Sequence, residues 1–172
     1  MEKSTKAVVA ASMMAAMTCI ATMIIKVPTP GTNGYVNVGD CVVLLSAWLL
    51  GNPYGALAAG IGSALADILS GYAVYAPGTA VIKALMALTG ALIISRASRT
   101  HTPGVLTYIL SSIVAEAIMV FGYLLYESTL LGYGSAAIAS VPANLIQGIV
   151  CAMLANALIH VLIRVIDTDI FR

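Results

Sequence analysis

Long apolar runs, cut by short stretches rich in Pro and Gly, set the elements of this chain. A first helix is predicted over 5–25, with an apolar run from Ala7 to Ile25, about the 20 residues that one bilayer crossing needs. Two prolines and two glycines in residues 26–34 end it. Residues 35–39 are expected to be extended or irregular. A short second helix over 40–50 stops at Gly51-Asn52-Pro53, and with 35–39 it just reaches across a membrane. Further helices are predicted over 54–69, 79–95, 104–126 and 136–166, the last broken near Pro142. Polar breaks separate them at 70–78, 96–103 and 127–135, and residues 167–172 form a polar tail. The pattern predicts an all-α integral membrane protein: a single domain over 1–172, a compact six-transmembrane-helix bundle with a long loop between helices 1 and 2.

Composition agrees with that reading. The chain has 172 residues, 60% hydrophobic and 9% charged, with mean hydropathy +1.00. A soluble domain carries about 25% charged residues. Six spans leave no length for a separate soluble domain. A net charge of +1 gives no support for a nucleic-acid partner. Cys19, Cys41 and Cys151 lie far apart in apolar runs, with neither metal-ligand nor disulfide spacing, and read as small buried hydrophobes. Lys3 and Lys6 precede the first apolar run as in a signal peptide, but that run exceeds a usual signal core, so it is expected to stay as helix 1. With both termini cytoplasmic, Lys3, Lys6, Arg96, Arg99, Arg164 and Arg172 fall inside and only Lys26 outside. That asymmetry obeys the positive-inside rule.

Ionisable residues inside the spans are the strongest pointers to function, because each costs at least about 2.5–3.5 kcal/mol in hydrocarbon without a partner or a wet cavity. Helical rise puts Asp67 and Lys83 within about 8 Å of the outer ends of helices 3 and 4, and Glu116 deeper, about 15 Å down helix 5. Asn144 and Gln147, three apart, share one face of helix 6. Asn37 and Asp40 flank the outer end of helix 2. Six tyrosines (35, 72, 75, 123, 126 and 133) fall at that same end, against two (54 and 108) at the inner end. They read either as an interfacial belt or as aromatic walls around a ligand, Tyr75 and Tyr123 among them. The expected object is a cup, open outward and closed inward by apolar side chains.

Plainer roles stand beside these. Lys83 with Asp67 or Glu116 makes a packing ion pair. Asp40 suits a helix cap. Asn144 and Gln147 suit interhelical hydrogen bonds, and His160 suits the inner interface. Ala7, Ala11 and Ala15 put small side chains on one face of helix 1, fit either for packing in the bundle or for docking another membrane subunit.

Several chemistries lack their residues. There is no P-loop and no H-E-x-x-H. His101 and His160 suggest no Ser-His-Asp layout. Val38-Gly39-Asp40 with Asp67 does not complete an intramembrane aspartyl-protease motif, because Asn37 stands where the glycine belongs. The chain is not expected to be an enzyme, and no cofactor is implied.

The order of features resembles the substrate-binding S components of energy-coupling factor (ECF) vitamin transporters. It includes the alanine repeat of helix 1, the long stretch 28–39 before a short helix 2, and Asn37-Val38-Gly39-Asp40. It continues with Gly60-x-Gly62-x4-Asp67 and Pro77-Gly78-Thr79-x3-Lys83-x6-Gly90. The branch resembled includes riboflavin-, hydroxymethylpyrimidine- and pyridoxine-type members. The resemblance implies a binding subunit for a small vitamin, with residues 28–39 as lid. It implies that Ala7, Ala11 and Ala15 meet a transmembrane T subunit carrying two ABC ATPases, which supply the ATP hydrolysis. The expected substrate site is Asn37, Asp40, Asp67, Tyr75, Lys83, Glu116, Tyr123, Asn144 and Gln147. One lysine among acids suits a neutral or zwitterionic flat ring, pyrimidine- or pyridine-like. A stand-alone transporter or channel is the competing expectation, and it would show flux in liposomes without an ATPase.

Overall fold

A computed structural model describes residues 2–29, 31–99 and 103–165. His101, Arg172 and the polar tail 167–172 lie outside the described residues. Six helices appear: α1 Glu2–Ile24, α2 Gly39–Leu50, α3 Tyr54–Leu69, α4 Ala76–Ala97, α5 Val105–Leu125 and α6 Val141–Val165. Between α1 and α2 the chain folds into an antiparallel hairpin of β1 Lys26–Pro28 and β2 Tyr35–Asn37, with Val27 opposite Val36. The fold is mostly helical, as expected, with this one short hairpin added to the six helices. The extended conformation expected at 35–39 is realised over Tyr35–Asn37 and pairs back onto Lys26–Pro28.

Among the described residues, four segments are long and apolar enough to cross a bilayer alone: Thr5–Ile24, Ala76–Ala97, Val105–Leu130 and Gly134–Arg164. Helices α2 and α3 are shorter, at 12 and 16 residues. Helix α2 is the axis of the bundle, with eleven of its twelve residues buried. A helix apolar on every side belongs in a core. Val43, Leu44, Ala47 and Trp48 of α2 pack with Met86, Ala87, Ala115, Met119, Cys151 and Ile159 of the surrounding helices. Trp48 Nε1 donates to Ser111 Oγ at 2.9 Å, and Ser111 Oγ donates to the Gly90 carbonyl at 3.1 Å, so α2, α4 and α5 are tied together. The Tyr108 ring meets Trp48 edge-on at 5.1 Å and His160 at 5.8 Å. His160 is thus half-buried beside the Tyr108 ring with its Nε2 enclosed.

Helix α1 lies against α3 at the edge and exposes Val8, Val9, Met13, Met17 and Ile20. Its approach depends on Gly62, where an added Cβ would sit 2.4 Å from the Ala15 carbonyl oxygen. Of the alanine repeat, Ala7 is buried, while Ala11 and Ala15 are half-buried in a groove shared with Tyr54, Leu57 and Ile61.

Helix α4 begins three residues earlier than its pattern predicts. Pro77 and Gly78 read as a turn, but Pro in a first helical turn loses no hydrogen bond. The last apolar run divides as expected near Pro142: a 3₁₀ segment, Gly134–Ser140, precedes α6, and Pro142 lies in the first turn of α6. A wide helical turn, Tyr126–Leu130, extends α5 and carries Glu127 into the protein.

Candidate functional site

The hairpin closes one end of the bundle, and polar side chains converge beneath it. Thr29, Gly34, Tyr35 and Asn37 of the hairpin line a small space with Asp67 of α3. Tyr75 and Thr79 at the start of α4, Tyr123 of α5, Glu127, and Asn144 and Gln147 of α6 complete it. Its volume is about 20 Å³, room for about one water.

Each contact follows from an element end brought to this place. The Tyr35 hydroxyl donates to Asp67 Oδ1 at 2.6 Å, and its ring packs on Tyr72 at 4.5 Å. Burial holds the Tyr35 phenol above its ordinary pKa, and the hydrogen bond and charge of Asp67 push the same way. The wide turn after α5 points Glu127 inward. Its Oε1 accepts from the Tyr75 hydroxyl at 3.1 Å and its Oε2 from the Ser140 hydroxyl at 2.6 Å. Thr79 and Tyr123 share a hydroxyl–hydroxyl bond of 3.0 Å. Gly34 comes so close to Tyr75 and Glu127 that an added Cβ would stand 3.1 Å and 3.2 Å from their oxygens.

The base of the hairpin is joined to the core through Gln147. The Asn37 backbone N–H donates to Gln147 Oε1 at 2.6 Å, and Gln147 Nε2 donates to Asp40 Oδ2 at 2.5 Å. Asp40 Oδ1 is paired with the Lys83 ammonium, which also lies 5.2 Å from the Tyr123 ring centre. Asp40 and Lys83 are 0% and 2% exposed, so this ion pair is sealed behind the pocket wall.

The structure therefore brings together Asn37, Asp67, Tyr75, Tyr123, Asn144 and Gln147 on one space, and sets Asp40 and Lys83 behind it. Lys83 pairs with neither Asp67 nor Glu116, as depth along the helices had suggested; Asp40 takes it. Asp40 does not cap α2 either. It sits inside the first turn, and Val38 occupies the cap position without a side-chain bond. Glu116 is the outlier. It lies against Gly148 and lines an apolar groove between α5 and α6 with Ile113, Phe121 and Ile149. Both its oxygens are enclosed without a hydrogen-bond partner.

Sequence reasoning missed Glu127, Thr79, Tyr35, Thr29 and Gly34 as individual lining residues. Glu127 carried a signal: it is the sole carboxylate between Glu116 and Asp167, and it sits at the tyrosine-rich end.

Residues 2–164 match the family described as ECF-type riboflavin transporter, S component. A Pyrococcus woesei protein described as an uncharacterised protein in the gap 3′ region is 32% identical over 143 residues, covering 83% of this chain and 92% of that relative. Among solved structures, the S component of a bacterial ECF transporter superposes with TM-score 0.67 at 21% identity, covering 94% of this chain and 97% of that one. The S component for biotin from an ECF-type ABC transporter gives TM-score 0.65 at 16% identity, with 90% and 91% covered.

Proposed function

The chain belongs to the ECF-type riboflavin transporter S-component family, and from that premise we propose that it captures a hydroxymethylpyrimidine- or pyridoxine-like vitamin or precursor beneath its hairpin. As an S component it is the substrate-binding subunit of a multi-pass membrane transporter, and not an enzyme. The observation that carries the substrate reading is the convergence of three tyrosines, two carboxylates and three amides from five elements on one small space. Tyrosine rings suit a flat heterocycle. Lys83 is paired with Asp40, and among the described residues no lysine or arginine lines the space to hold a phosphate. With room for about one water, the space admits such a ring only when the hairpin lifts, so residues 26–37 act as the lid.

The partners of this reading are a transmembrane T subunit and two ABC ATPases in the cell membrane, with the hairpin facing outward and both termini cytoplasmic. The groove on α1 and α3 lined by Ala11 and Ala15 is the surface offered to the T subunit. Ala7 is buried and serves internal packing instead. Ala11→Trp should leave ligand binding intact and abolish uptake with the ATPase module; retained uptake removes α1 from the docking face.

Riboflavin is the second reading, favoured by the family that the sequence matches. Mass spectrometry of the small molecule that co-purifies with the protein separates the two. A pyrimidine or pyridine mass is expected. A flavin mass, with its yellow absorbance, replaces the first reading with the second. A multiply anionic phosphate ester overturns the charge reasoning.

A further inference from the structure

Between α5 and α6 runs a groove of about 700 Å³. Among the described residues none of the hairpin, α1 or α3 lines it, so it is separate from the groove offered to the T subunit. Its banks are rows of residues four apart: Ile113, Ala117 and Phe121 on α5, and Leu145, Ile149 and Met153 on α6. Such rows are the ridges between which another helix packs. All six are exposed, and the α5 bank dips at Ala117. The floor is small or polar: Ser112, Glu116, Gly148, Ala152 and Asn156. Small residues there let a neighbouring backbone come close.

The floor has acceptors to spare and no donor left. Glu116 is 7% exposed. Both its oxygens and Asn156 Oδ1 are enclosed without a hydrogen-bond partner among the described residues. Asn156 Nδ2 is committed to Ser112 Oγ at 3.0 Å and to the Ala152 carbonyl at 2.8 Å. Ser112 gives its own proton to the Ile109 carbonyl at 2.8 Å. The Lys83 ammonium, the cation whose charge acts on Glu116, is bonded to Asp40 instead. Glu116 stands near the middle of Val105–Leu125, so about 15 Å of hydrocarbon separates it from either headgroup layer. Water is absent at that depth, and acyl chains offer no donor. A donor that reaches this floor is therefore carried by protein.

We propose that the α5–α6 groove receives a transmembrane helix of a different polypeptide, one with a lysine or arginine at mid-span that pairs with Glu116. The Glu116 side chain turns outward over the dip at Ala117 to meet it. Intramembrane charges are held in pairs of this kind. A second copy of this chain does not supply the cation. Every described lysine or arginine other than Lys83 lies near a helix end or outside a helix, and Lys83 is sealed with Asp40.

The test uses the purified full-length protein in phosphatidylcholine vesicles and two dansyl-labelled, tryptophan-free peptides. One is a leucine–alanine helix of about 20 residues with a central lysine; its twin has leucine there. Energy transfer from the single tryptophan, Trp48, which packs on Tyr108 of α5, reports binding. The lysine peptide should bind about 5- to 30-fold more tightly, the worth of one interhelical polar bond. Glu116→Leu should erase that preference. Ala117→Phe, on the exposed bank, should weaken binding of the lysine peptide by filling the dip. Equal affinities of the twins overturn the proposal, as does a preference that survives in Glu116→Leu or is untouched by Ala117→Phe. If Glu116→Leu does not fold, the twin comparison and Ala117→Phe decide. No transfer with either peptide leaves the groove to lipid and overturns the proposal too. Dimerisation of the protein that shuts out the lysine peptide assigns the face to a second copy and likewise overturns it.

Discussion

Replacing Lys83 by methionine would keep most of the side-chain volume and leave the Asp40 carboxylate with the Gln147 amide as its remaining donor. Asp40 is 0% exposed, so water cannot reach it to compensate. Removing one member of a buried ion pair costs about 3–5 kcal/mol. The Gln147 bond at 2.5 Å persists and holds the loss toward the lower end. Loss of the ammonium from the Tyr123 ring adds about 0.5–2 kcal/mol. At the size of this chain each kcal/mol shifts a melting midpoint by about 2–4 °C, so a drop of about 7–28 °C is expected. The single tryptophan, Trp48, is buried on α2, the helix that carries Asp40, and reports unfolding by fluorescence in detergent. Asp40→Asn combined with Lys83→Met should recover at least half of the loss, because a neutral replacement of both partners is close to neutral in stability. A shift under about 2 °C for the single change, or a double variant no better than the single, would refute the pairing as the cause.

Gln147→Leu strands the Asn37 N–H and Asp40 Oδ2 together, at about 1–3 kcal/mol each. Hydrogen exchange of the hairpin amides should quicken at least about tenfold; unchanged protection would show that the hairpin is held elsewhere. Gly62→Leu must push α1 away from α3 against the Ala15 carbonyl, costing about 1–3 kcal/mol in overpacking, and an unchanged melting midpoint would contradict that close approach. Tyr35 gives a pH prediction. Its folded pKa is raised above the unfolded value near 10, so its contribution is complete below about pH 10. It is lost as the pH climbs from there toward the folded value. Melting midpoints should fall above about pH 10, and Tyr35→Phe should flatten that part of the profile.

The helices were legible because their apolar runs are long and their breaks are Pro and Gly. The bounds of α3, 54–69, could be read directly, since Pro53 and Gly71 bracket it. The gathering of polar groups at one end was legible too, because helical rise fixes depth. Rise does not fix azimuth, and there the reading failed. Asp40, Asp67 and Glu116 were three possible partners for Lys83, and which one faces it depends on how the helices turn about their axes. Glu116 was placed in the cup by depth, yet its direction carries it to the α5–α6 groove. Glu127 was hidden for another reason: a wide turn continuing α5 looks, in sequence, like the start of a loop. The hairpin was hidden because three-residue strands are too short to show alternation.

Helix α2 rises about 18 Å where the hydrocarbon layer is about 30 Å thick. A helix of that length does not cross the layer alone, and the hairpin continues the chain beyond its Asp40 end. Non-helical backbone is tolerated there because the strands bond to each other and Asn37 bonds to Gln147. A ligand held beneath the hairpin, as proposed, would meet its partners away from bulk water, where a single misplaced donor weighs far more than it would at an open surface.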